Sequence, residues 1–119
     1  MPDRGLVGGM RRVAYVAGPY RDPRGAWYIQ ENINKARAVA VELWRMGYAV
    51  ICPHANTAHF DGAASDDVWL EGDLELLGRS DLVVMIDGWK ESTGAVTEHA
   101  FAIQEGIPIR YWPRVEVAS

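Results

Sequence analysis

Asp81-Leu-Val-Val-Met-Ile-Asp-Gly-Trp-Lys-Glu-Ser-Thr-Gly-Ala-Val-Thr-Glu-His-Ala-Phe-Ala-Ile-Gln-Glu-Gly-Ile-Pro-Ile-Arg-Tyr-Trp112 is the stretch that decides the fold. Its first part, Asp81 to Ile86, is an apolar run bounded by turn signals, which reads as a strand buried on both faces. Asp87-Gly88 breaks that strand, Ser92 or Thr93 can cap a new helix, and Gly106 ends it. Pro108-Ile-Arg-Tyr-Trp112 is a further strand, stopped by Pro113. Working back from there, Arg12-Val-Ala-Tyr-Val-Ala17 is another buried strand, closed by the turn residues Gly18-Pro19. Between Ile29 and Met46, the apolar positions Ile29, Ile33, Ala36, Ala40 and Leu43 recur at helical spacing, and Gly47 follows where a helix commonly ends. Tyr48-Ala-Val-Ile-Cys52 is a strand stopped by Pro53. Residues His54 to Ser65 read as a loop, and a helix follows from about Asp66 to Leu77.

Strands that alternate with helices predict a parallel sheet covered on both sides. The expectation is a small doubly wound α/β domain, flavodoxin- or Rossmann-like, with four to five strands and helices on both faces. In such folds ligands bind outside the carboxyl ends of the strands, where the strand order switches. Chemistry is therefore expected at residues 18–21, 53–59 and 87–98.

The 119 residues allow one domain, expected at 12–119 behind a flexible Gly-rich tail at 1–11. A net charge of −4 argues against a nucleic-acid partner, which requires a basic patch. No apolar run approaches the ~20 residues that a membrane span needs. The start lacks the apolar middle of a signal peptide, and the single Cys52 fits a reducing compartment, so a cytoplasmic location is expected. The five Trp are spread over separate segments and are expected in the core or in a subunit interface of a homodimer or larger assembly.

Four segments carry candidate chemistry. Ser92-Thr-Gly-Ala-Val-Thr-Glu98 opens a helix whose free N–H groups suit an anion, with Gly94 allowing close approach. Glu98 is expected on the flank of a stripe formed by Val96, Ala100 and Ile103, where a solvated glutamate would fit equally well. Gly18-Pro19-Tyr20-Arg21 lacks a dinucleotide fingerprint, but its Arg21 could clamp a phosphate or a sugar. Asp73 adjoins the apolar stripe Leu70, Leu74 and Leu77 and could face the carboxyl edge of the sheet. His54 and His59, with Asp61, raise the question of metal, but no metal-ligand spacing is present and no cofactor is implied. Cys52 and His54 would point to opposite faces if the strand continued past Pro53, and His99 is expected on the surface of its helix. Tyr15, three residues before Gly18, could place its hydroxyl in the site or satisfy a buried partner.

Together, Tyr15-Val-Ala-Gly-Pro-Tyr-Arg21, Cys52-Pro-His54, Glu71-Gly-Asp-Leu74, Ser80-Asp-Leu-Val-Val84 and Ser92-x-Gly-x-x-x-Glu98 resemble the nucleoside 2-deoxyribosyltransferase-like superfamily. The resemblance runs from Val13 to about Tyr111 and is nearest to the small members and the 2′-deoxynucleoside 5′-phosphate N-hydrolases. It implies a nucleoside or nucleotide substrate, with Glu98 as the nucleophile that attacks the anomeric carbon and Asp73 as the acid/base. It also implies that Tyr15 positions the nucleophile, and that Gly18, Arg21, Ser92 and Gly94, with neighbouring Tyr20, surround the sugar and 5′-phosphate. His54 corresponds to a histidine near the base or sugar. Ser92 stands where the deoxyribosyltransferases carry an Asp, which favours a 5′-phosphate, whereas Pro19 removes an N–H from the phosphate loop. Glu98, near a helix N-terminus, is expected to stay ionised. Base exchange between deoxynucleosides and a non-catalytic nucleotide-binding module are the alternatives. A cytokinin-type phosphoribohydrolase is only partly echoed by Thr93-Gly94 and Thr97-Glu98.

Overall fold

A computed structural model describes residues 11–58, 60 and 62–118. The expected tail, apart from Arg11, lies outside these residues, as do His59 and Asp61. The elements follow the order β1 (Val13–Ala17), α1 (Ala26–Arg45), β2 (Ala49–Ile51), α2 (Pro53–Asn56), α3 (Asp66–Gly78), β3 (Leu82–Met85), a 3-10 turn (Trp89–Glu91), α4 (Thr93–Glu105) and β4 (Ile109–Tyr111).

The sheet has four strands in the order β2-β1-β3-β4, and all three pairings are parallel. The chain leaves β1 toward β2 on one side and returns to β3 on the other. The strand order therefore switches between β1 and β3, as expected of a doubly wound sheet. Side chains of each strand alternate between the two faces. Ala14, Val16, Leu82 and Val84 pack with Ile33's helix α1 through Ala36, Val39, Ala40 and Leu43. Tyr15, Ala17, Val83 and Met85 face the other way and pack with Leu77 of α3 and with Ala95 and Ala102 of α4. Helices thus cover both faces.

Helix ends follow from local chemistry. Gly47 (φ 99°) turns the chain after α1, with its N–H on Trp44 O (3.0 Å) and the Tyr48 N–H on Leu43 O (3.1 Å). That paired bonding is the Schellman motif, which satisfies carbonyls left over at a helix end.

Three expectations change. Helix α1 begins at Ala26, three residues ahead of Ile29, because Asp22 to Gly25 already form a turn (Gly25 N–H to Asp22 O, 3.1 Å). The loop after Pro53 opens with the short helix α2, so Cys52 and His54 do not alternate on a continuing strand; Cys52 packs in the α1-side core. The expectation of core or interface for the five Trp narrows: none belongs to the fully buried core, Trp112 and Trp89 pack at its margins, and Trp27 and Trp44 are 67% and 51% exposed. No helix among the described residues is long and apolar enough to cross a membrane.

Candidate active site

The site is assembled where β1, β2 and β3 end. At Gly18 a methyl group would overlap the Ile86 side chain, so only glycine lets the end of β1 lie this close to the end of β3. The following loop is held by His54, whose Nε2–H donates to Pro19 O at 2.7 Å, and by Asn32, whose amide donates to Tyr20 O at 3.0 Å. His54 is buried and meets the Tyr20 ring edge-on, with centroids 5.7 Å apart. Burial pushes its pKa down, which keeps the imidazole neutral. On the opposite wall, Ser92 caps α4 by accepting from the Ala95 N–H at 3.3 Å. A Cβ at Gly94 would point into open space, leaving the backbone there approachable.

These walls enclose a cavity of about 420 Å³. Gly18, Tyr20, Arg21, His54, Asp73, Ser92, Gly94 and Glu98 all line it. Tyr15 lies behind it, fully buried, and its hydroxyl donates to Glu98 Oε2. A second hollow of about 500 Å³, between the ends of β3 and β4, is lined by Trp89, Lys90 and Tyr111 and holds neither Glu98 nor Asp73. His99 sits beside that hollow, stacked on Trp89 at 4.2 Å and bonded through Nε2 to the Tyr111 hydroxyl at 2.8 Å. It takes no part in the first cavity.

Glu98 departs from expectation in two ways. The buried face of α4 is Ala95, Glu98 and Ala102, whereas Val96 and Ile103 are 42% and 63% exposed. Glu98 therefore occupies the middle of the inward face instead of its flank, with only 7% of its surface exposed. It also lies in the second turn of α4, beyond the first-turn reach of the helix dipole. Burial wins: it pushes the Glu98 carboxyl up to about 8, against the lowering effect of the Tyr15 hydrogen bond, and the charge of Asp73 adds to the rise. Burial raises Asp73 as well, to about 6. Asp73 thus loses its proton first, and its charge then opposes ionisation of Glu98. Between these two values the pair holds a single proton. The Tyr15 phenol is held far above its ordinary value by burial and by the charges of Glu98 and Asp73, so it remains a donor.

The cavity also contains residues that the sequence did not single out. Asp66 and Asp67 contribute from the start of α3, Trp69 and Leu70 from its next turn, and Glu91 from the 3-10 turn. The amphipathic pattern places Asp66 and Asp67 at a helix start, where acidic residues are ordinary, so nothing local marks them. Trp69 tilts against Phe60 with centroids 5.9 Å apart, and its indole N–H has no hydrogen-bond partner among the described residues. Among the described residues, no three of His, Cys, Asp and Glu converge closely enough to hold a metal ion.

A family model, the domain of unknown function DUF4406, matches residues 12–111, which is most of the chain. The chain belongs to the DUF4406 family. No curated protein matches the DUF4406 chain. Among solved structures it is similar to a 2-deoxyribosyltransferase from Bacillus psychrosaccharolyticus, with a TM-score of 0.58 and 21% identity. The similarity covers 83% of the DUF4406 chain and 70% of that protein, which is described as a biocatalyst for nucleoside synthesis. The fold implied by the resemblance of the sequence is therefore the fold of this DUF4406 protein.

Proposed function

We propose that this protein cleaves the base–sugar bond of a nucleoside or deoxynucleoside 5′-monophosphate through a ribosyl-enzyme intermediate. The supporting observation is Glu98, a buried carboxyl held by the Tyr15 hydroxyl and facing a cavity it shares with Asp73. In this reading the Glu98 carboxylate attacks the anomeric carbon as the C–N bond breaks, and Asp73 delivers its proton to the departing nitrogen. Asp73, now a carboxylate, takes a proton from water. The resulting hydroxide attacks the same carbon and releases Glu98. The proton that the pair shares rests on Glu98, the weaker acid, so attack requires it to pass to Asp73, which leaves the nucleophile charged and the acid protonated. Tyr15 fixes the orientation of Glu98. In this reading Arg21 and the N–H groups of Thr93 and Gly94, which line the same cavity, hold the 5′-phosphate.

Base exchange is the second reading, favoured by the likeness to a 2-deoxyribosyltransferase. The two differ only in what attacks the intermediate. A mass-spectrometric screen of nucleosides and nucleotides, with wild type beside Glu98→Ala, tests both. Free base from a monophosphate, absent in the variant, supports hydrolysis; a swapped nucleoside after addition of a second base supports exchange. A ligand that binds tightly and stays intact after long incubation identifies a non-catalytic binding module. We also propose a homo-oligomer, since α1 exposes Trp27 and Trp44, and light scattering at high concentration showing only monomer would refute it.

A further inference from the structure

One ion pair ties the two rims of the cavity together. Arg21, on the loop after β1, and Asp66, the first residue of α3, meet at 2.6 Å between Nη2 and Oδ1, and both line the cavity. Both side chains are well solvated, at 54% and 75% exposed, so the pair is weak and opens easily. Among the described lining residues, Arg21 is the sole Lys or Arg, set against the carboxyl groups of Asp66, Asp67, Asp73, Glu91 and Glu98. An anionic group on a ligand must therefore take its counter-charge from Arg21, assisted by N–H groups at the start of α4. In the structure Asp66 already engages that guanidinium.

We propose that Asp66 is a specificity-determining residue that competes with the ligand's phosphate for Arg21. A ligand carrying a 5′-phosphate displaces the Asp66 carboxylate, whereas a ligand without one binds with the pair intact. The native site thereby gives up part of its preference for phosphorylated over unphosphorylated ligands. This rests on the 5′-phosphate reading above, and it adds that the acidic rim, as well as Arg21, sets the preference.

The test measures affinity, so it does not depend on turnover. Dissociation constants for ribose 5-phosphate and for ribose are measured by ligand-observed NMR at low salt. The proteins are wild type, Asp66→Asn, Arg21→Ala, the double variant, and Asp67→Asn as a control for general charge on the same rim. The expected result is a ribose 5-phosphate affinity about two- to fivefold tighter in Asp66→Asn, with ribose unchanged. That gain should vanish when Arg21 is already Ala, since coupled residues are non-additive. An equal gain with and without Arg21, or an equal gain in Asp67→Asn, would show simple repulsion and overturn the competition. No gain in Asp66→Asn, while Arg21→Ala weakens binding, overturns the role of Asp66 and leaves the phosphate reading standing. If Arg21→Ala leaves ribose 5-phosphate affinity unchanged, or wild type does not bind it, the phosphate reading falls and the proposal with it.

Discussion

At Glu98 two physical effects oppose each other, and their balance sets the chemistry expected of the site. Burial favours the neutral carboxyl, the Tyr15 hydrogen bond favours the carboxylate, and the result is a pKa near 8 beside an Asp73 near 6. If the singly protonated pair is the active form, kcat/KM follows a bell with limbs near those two values. Tyr15→Phe removes the effect that lowers Glu98, so the alkaline limb should move to higher pH while kcat falls. Asp73→Asn should reduce kcat by about 10²–10⁴-fold, the usual worth of general acid/base help. The same burial has a consequence for stability. The folded protein holds the Glu98 proton more tightly than the unfolded chain, whose carboxyl titrates near 4.5. The stabilisation is complete below the unfolded value and is lost as pH rises through about 8. Glu98→Gln keeps an acceptor for Tyr15 but carries no charge, so its Tm should exceed that of wild type at pH 8 and converge with it near pH 5. A constant Tm difference across this range would show that Glu98 is not buried as a titrating group.

At the scale of elements, the closeness of β1 and β3 at their carboxyl ends shapes the cavity. Gly18→Ala forces a methyl into the Ile86 side chain and should cost about 1–3 kcal/mol. Ile86→Ala removes the atoms in conflict, so the double variant should lose less stability than the sum of the two single changes in urea unfolding. Strictly additive losses would mean that the two residues do not meet. Helix α4 shows why sequence pattern alone misplaced Glu98. By hydropathy its best stripe is Val96, Ala100 and Ile103, yet the sheet receives Ala95, Glu98 and Ala102. The small side chains Ala95 and Ala102 let the helix pack closely, and the Tyr15 hydroxyl supplies the partner that makes a buried carboxyl tolerable. A helix that turns its polar residue inward breaks the local rule at a site where function is expected to break it. Strands β1 and β3, by contrast, were legible because short apolar runs bounded by turn and charged residues have few other uses in an α/β chain. The single turn α2 was not, since one helical turn of Pro53-His-Ala-Asn56 has no periodicity to detect.

Across the whole molecule, the segment after β4 closes the face covered by α1. Trp112, Val115 and Ala118 pack against that core, the Ala118 N–H donates to Met46 O at 3.0 Å, and the buried Tyr48 hydroxyl donates to Glu116 O at 2.6 Å. Tyr48→Phe should cost about 0.5–1.5 kcal/mol, the net worth of one hydrogen bond. Deleting residues 113–119 should cost more, because it also uncovers apolar surface and leaves the Tyr48 hydroxyl without its partner. Equal midpoints for the truncated and full-length chains in urea would show that this segment contributes nothing to the core.

Strand and helix order, the parallel sheet and the carboxyl-edge location of the cavity were determined by the sequence itself. They depend on apolar runs and turn residues, which act over a few neighbours along the chain. The tertiary structure alone decided that Glu98 points inward and ionises late and that Asp66 engages Arg21 across the cavity, and it brought the Tyr15 hydroxyl onto Glu98 from 83 residues away. Those properties come from groups that meet only when the sheet closes, and burial, the largest influence on Glu98, does not exist until it does.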